Sequence, residues 1–80
     1  MILLKNFRLR NGNVEADIYP EESSAAGLLV VNPKGGIIEH FLPRGYEYCE
    51  NHVAHARWFI SKNYDKIVNG EITEKIIMWY

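Results

Sequence analysis

Eighty residues with nine basic and ten acidic side chains carry a formal charge of −1 and a pI near 6.3, so no overall field draws the chain to nucleic acid or to a membrane surface. An apolar fraction of 48% with 24% charged residues excludes a disordered chain and fits one globular domain, which at this length buries about 60% of its unfolded surface. A single cysteine excludes an intrachain disulfide and fits a reducing cytoplasm.

The first residues, Met1 to Lys5, lack a basic lead and lose their apolar run at Lys5, so no signal peptide is expected. No apolar stretch reaches the ~18 residues that a membrane span needs. The expectation is one cytoplasmic domain over residues 1–80.

Ile2 to Arg10 is rich in Leu, Ile and Phe and ends at Asn11-Gly12, a pair that tolerates positive φ and so marks a hairpin turn. Alternation along this strand sends Arg8 and Arg10 one way and Lys5 the other. From Val14 to Tyr19 the chain alternates, with Val14, Ala16 and Ile18 on one face and Glu15, Asp17 and Tyr19 on the other; this is a half-buried antiparallel strand. Pro20 to Gly27 is small, polar and aperiodic and reads as a mobile connection without bulk to anchor a site. Gly27 to Asn32 and Gly36 to Leu42 form a second hairpin around Pro33-Lys34-Gly35, and the first of these strands is apolar on both faces.

Tyr46 to Val68 is the one long helix expected, with Cys49, Val53, Ala56, Ile60 and Ile67 on a single stripe. Leu42-Pro43-Arg44-Gly45 marks its start and Asn69-Gly70 its end, with Lys62-Asn63 as an earlier candidate stop. Glu47 and Glu50 fall in the first turns, where carboxylates complement the helix dipole. Trp58 falls opposite the stripe, either as an isolated surface residue or as part of a contact patch. Thr73 to Tyr80 closes the chain as an inner strand, with Ile76, Met78 and Tyr80 facing one way and Ile77 and Trp79 the other.

The order β-β-β-β-α-β with one helix gives an α+β domain: a mainly antiparallel sheet of about five strands with one face under the helix. Strands that are apolar on both faces then call for cover on the second face. Leu29, Val31, Ile77 and Trp79 are the residues expected there, covered by a second copy in a two-fold dimer. The alternative is that the first hairpin folds over that face, with Leu4 and Ile18 as cover.

Cys49, His52 and His55 have thiolate and imidazole donors at C-x2-H-x2-H spacing, with His40 before them. From Cys49 to His55 the helix rises roughly 9 Å and turns about 240°, so the three cannot converge on one ion; no metal is expected. The stripe position of Cys49 argues against a nucleophile. Lys34-Gly35-Gly36 lacks the spacing of a phosphate loop. At the helix start, Gly45 reads as plain capping rather than an anion site. Arg8 and Arg10 are too small a basic patch for nucleic acid.

The segments GYEYCENHVAHAR and IIMWY are similar to small uncharacterised proteins carried by prophages and mobile elements of gut Firmicutes, over Leu42 to Arg57 and Ile76 to Tyr80. That resemblance implies a protein that binds and blocks a host protein, or one that sequesters a small signalling molecule. Together the readings point to a non-enzymatic, homo-oligomeric binding module without cofactor. The alternative is a small-molecule binder with a pocket at the oligomer interface. The binding residues expected are His52, His55, Arg57, Trp58 and Trp79.

Overall fold

The structure, a computed structural model, describes residues 1–78. Its elements are β1 (Ile2–Arg10), β2 (Asn13–Pro20), β3 (Gly27–Val31), β4 (Ile37–Phe41), α1 (Glu50–Lys62), α2 (Tyr64–Val68) and β5 (Lys75–Ile77). Among the described residues these strands form one antiparallel sheet in the order β4-β3-β2-β1-β5, with both helices on one face. The chain is thus an α+β fold.

The turn at Asn11-Gly12 has positive φ at both residues, 54° and 82°, which gives the twist that suits a tight hairpin. The hydroxyl of Tyr64 on α2 donates to the Gly12 carbonyl at 2.6 Å and ties the second helix to this turn. Val14, Ala16 and Ile18 are fully buried, as their alternation indicates. β1 and β2 occupy the middle of the sheet, so the first hairpin is not a layer folded over the second face.

Within β1 a bulge breaks the simple alternation. Lys5 pairs with Asp17 but Arg8 pairs with Glu15, so Asn6 and Phe7 together oppose Ala16. Asn6 takes the left-handed backbone this needs, at φ 56°, which asparagine tolerates better than most residues. Phe7 is thereby packed against the core. Lys5, Arg8 and Arg10 come to share one face, correcting the expectation that Lys5 points away from the arginines.

The helical stripe is as expected: Cys49, Val53, Ala56, Ile60 and Ile67 are all buried. The helix start is not, and the run breaks at Lys62-Asn63, the earlier candidate stop, before it ends at Asn69-Gly70 as expected. Residues 43–49 form successive tight turns, with Tyr46 N–H donating to Pro43 O and Cys49 N–H to Tyr46 O, each at 3.0 Å. The Glu47 carboxylate folds back onto the Gly45 N–H at 2.8 Å, so it closes a turn instead of opening a helix. α1 ends where Asn63 departs from helical backbone at φ −120°, its side-chain amide donating to the Phe59 carbonyl at 2.9 Å. The single long helix is therefore a 13-residue helix and a 5-residue one.

Register decides which side of β3 meets the helices. Leu29 pairs with Ala16 and Val31 with Val14, so both join the helix-covered core. Ile77 pairs with Ile2 and packs against the same core. Leu29, Val31 and Ile77 are therefore not on the uncovered face, which overturns that expectation; Trp79 lies outside the described residues. β5 is also an edge strand rather than an inner one.

Among the described residues no element lies over the other face. Pairing places Ile76, Leu3 and Tyr19 in one row and Lys5, Asp17, Leu28 and Phe41 in the next. A third row holds Arg8, Glu15, Val30 and Glu39. No helix among the described residues is long and apolar enough to cross a membrane.

Candidate functional site

Of the expected binding residues, the four that are described, His52, His55, Arg57 and Trp58, do not form one cluster. Each helical residue is turned about 100° from the last, so residues 52, 55, 57 and 58 diverge around α1. His52 leaves on one flank and meets Glu21, with Nε2 at 2.7 Å from the carboxylate. Glu21 follows β2 at φ 51°, and the Met1 ammonium stands 3.4 Å from the same carboxylate oxygen. The hydrogen bond with His52 holds the Glu21 carboxyl below its ordinary range. The connection after β2, expected to anchor nothing, thus holds the start of the chain and the side of α1. Only the carboxylate of Glu21 hinted at this, and nothing in its spacing named His52 as the partner.

Arg57 leaves on the opposite flank and donates through Nη1 to the Gly35 carbonyl at 3.2 Å, bracing the β3–β4 loop. His55 and Trp58 do come together: with Phe59 they form one wall of a groove of about 510 Å³ whose other wall is Lys75 to Met78. Trp58 is 58% exposed, so it is a surface residue over this groove rather than a core one. Phe59, Lys75 and Met78 are lining residues that the sequence reading missed, because the approach of β5 to α1 is set by the sheet.

Cys49 is 1% exposed, and burial pushes its thiol up from the ordinary range. Among the described residues no group of three His, Cys, Asp or Glu side chains stands close enough to share a metal ion. His40, the further candidate ligand beside Cys49, lies 3.4 Å from Glu50. A water-soluble thiol reagent should label the folded protein at least about a hundredfold more slowly than the denatured chain, since an opening of ~3 kcal/mol must precede reaction. Labelling at equal rates in buffer and denaturant would place Cys49 on the surface.

The open sheet face has two halves of different chemistry. Arg8 bridges Glu15 at 2.8 Å and Asp17 at 3.1 Å, and Arg10 spans from Glu15 at 2.8 Å to Glu39 at 3.7 Å. These bonds hold Glu15 below the usual carboxylate range, Arg10 contributing most. Between Glu15 and Glu39 lies Val30, which is 2% exposed with no helix above it; the ion-paired side chains roof it. The other half holds the apolar band of Leu3, Tyr19, Leu28, Phe41 and Ile76, with Lys5 and Asp17 in the same row as Leu28 and Phe41.

No family model, curated protein or solved structure matches the chain, so the chemistry of its surfaces is read from geometry alone.

Proposed function

We propose that this protein is a non-enzymatic interaction module that acts through the open face of its sheet, first of all by pairing with a second copy. The observation that carries this reading is the apolar band on a face that no described element covers, with Phe41 53% and Ile76 54% exposed. The band adjoins a charge lattice of both signs, so two copies related by a two-fold axis meet without a net like-charge clash.

The magnitude sets the strength. With Leu29, Val31 and Ile77 inside the core, the face keeps far less apolar surface than four wholly exposed side chains. Burying the exposed half of Phe41 or Ile76 is worth about 1–1.5 kcal/mol, and two copies supply four such burials, on the order of 4–6 kcal/mol. A micromolar complex needs about 8 kcal/mol net of association costs. That gain of about 4–6 kcal/mol is gross of association costs, so self-association should be weak and reversible, with a dissociation constant no tighter than about 0.1 mM. The same band is the surface available to a host protein, the kind of partner implied by the resemblance to phage-borne proteins.

Light scattering on a concentration series is the test. The mass should rise from 9.3 kDa toward twice that value as concentration passes the dissociation constant, and Phe41→Glu should hold it at 9.3 kDa throughout. A wild-type mass fixed at the monomer value up to about 1 mM would overturn the self-pairing. So would a dimer that Phe41→Glu leaves intact.

A further inference from the structure

Two asparagines of this chain precede a glycine, Asn11 and Asn69, and the fold holds them differently. The other asparagines precede Phe7, Val14, Pro33, His52 or Tyr64, whose side chains crowd the following nitrogen or, at proline, leave it without a proton. A backbone amide that loses its proton can attack the asparagine carboxamide before it and close a five-membered imide. In a type II′ turn the first central residue has φ and ψ of roughly +60° and −120°. At that ψ the next nitrogen eclipses Cβ, as ring closure demands.

Asn11 and Gly12 stand at φ 54° and 82°, the signature of a type I′ turn. The I′ and II′ forms share φ at the first residue and differ by rotation of the one peptide between the two. Both suit a two-residue hairpin, so β1 and β2 keep their pairing through the flip, and glycine accepts the negative φ it brings. Among the described residues that peptide carries no hydrogen bond, either at the Asn11 carbonyl or at the Gly12 N–H. Both residues are exposed, and a Cβ on Gly12 would meet nothing within 4 Å, so the peptide turns in open space. Asn69 lacks this freedom. It has φ −79° and ψ −1°, and the Gly70 N–H donates to the Ile67 carbonyl at 3.1 Å, so attack there must first break the end of α2.

We infer that Asn11 is a modification site, at which the chain spontaneously deamidates and isomerises, and that the change releases α2 from the hairpin. The Gly12 nitrogen gives up its proton and attacks Asn11 Cγ. The N–Cγ bond forms, the Cγ–Nδ2 bond breaks, and Nδ2 takes up a proton and leaves as ammonia. Water then adds to one of the two imide carbonyls and breaks its bond to nitrogen. Opening at Cγ leaves an aspartate; opening at the main-chain carbonyl leaves an isoaspartate, which routes the chain through Cβ and Cγ. The two-residue turn gains a main-chain atom, and the Gly12 carbonyl is carried away from the Tyr64 hydroxyl, whose 2.6 Å bond ties α2 to this turn. The chemistry needs one copy only and does not depend on self-pairing.

The folded full chain, ¹⁵N-labelled, is aged in mildly alkaline buffer and its proteolytic peptides are mapped by mass spectrometry. An isoaspartate O-methyltransferase serves as the probe for the isomer. Asn11 should convert about fivefold faster than Asn69, the equivalent of one hydrogen bond of ~1 kcal/mol. In denaturant that bond is gone, and the two rates should agree within about twofold. Amide spectra of the isoaspartyl form should show shifts over residues 64–68 that match those of Tyr64→Phe, which keeps the ring and loses the hydroxyl. Equal or faster conversion of Asn69 in the folded chain would overturn the choice of site. So would an Asn11 that stays intact while the denatured chain converts fully. Isoaspartate at position 11 with unchanged amides over residues 64–68 would overturn the release of α2.

Discussion

Replacing Leu29 by alanine should cost about 2–5 kcal/mol of folding stability, while the same change at the adjacent Leu28 should cost under about 1.5 kcal/mol. The two leucines are neighbours in β3 and differ only in the face they take. Leu29 is fully buried in the cluster that contains Val53, Ala56 and Ile60, so truncation leaves a cavity beneath α1. Leu28 pairs with Asp17 and Phe41 on the open face, where the surroundings relax and water fills the space. Urea unfolding of the two variants measures the difference directly. A larger loss at Leu28 than at Leu29 would mean that the register of β3 is wrong by one residue, which would turn every side chain of that strand over.

Gly35→Ala should cost about 2–4 kcal/mol, and the loss should separate into two parts. Gly35 has φ +89°, a conformation that costs an L side chain roughly 1–2 kcal/mol. A Cβ there would also stand 2.6 Å from Ser61 Oγ and 3.2 Å from Ser61 Cβ of α1, so the hydroxyl must rotate away and the loop or helix give by a few tenths of an ångström. Any shift also strains the bond from Arg57 Nη1 to the Gly35 carbonyl. Gly12 supplies the control: its φ is +82°, but a Cβ there meets nothing within 4 Å. Gly12→Ala should therefore show the backbone part alone, about 1–2 kcal/mol. For a chain of this size each kcal/mol moves the melting temperature by about 4–8 °C, so calorimetry resolves the two variants. Adding Ser61→Gly to Gly35→Ala should recover the contact part, after allowance for the cost of glycine in a helix. Equal losses at Gly12 and Gly35 would show that the loop does not press on α1.

Several features were legible before any coordinates. Val14 to Tyr19 alternates because one face is dry and the other wet, and that pattern needs no knowledge of the partner strands. Asn11-Gly12 announces its turn because the backbone angles required are ones few residues accept. The stripe from Cys49 to Ile67 likewise reports its buried side through spacing alone. Where the pattern was silent, the reading failed for a definable reason. Leu28 to Val31 is apolar at every position, so its period carries no phase, and only pairing with β2 turned Leu29 and Val31 toward the helices. The bulge at Asn6 is a one-residue slip that alternation cannot anticipate, and it moved Lys5 onto the face of Arg8 and Arg10. The early start assigned to the helix failed because Glu47 found a nearer donor in the Gly45 N–H.

The candidate site divides along the same line. That His55 and Trp58 lie toward the surface side of a helix follows from their spacing to the buried stripe, because helical geometry is a local property of consecutive residues. That they face Lys75 and Met78 across a groove, while His52 turns to Glu21 and Arg57 to Gly35, depends on which elements flank α1. Those neighbours come from residues 17 to 31 positions away along the chain, brought there by the antiparallel order β4-β3-β2-β1-β5. Periodicity records the burial of a side chain, an average over its surroundings, and so survives in the sequence. The identity of a contact is a single long-range pairing, and it exists only once the sheet has closed its register.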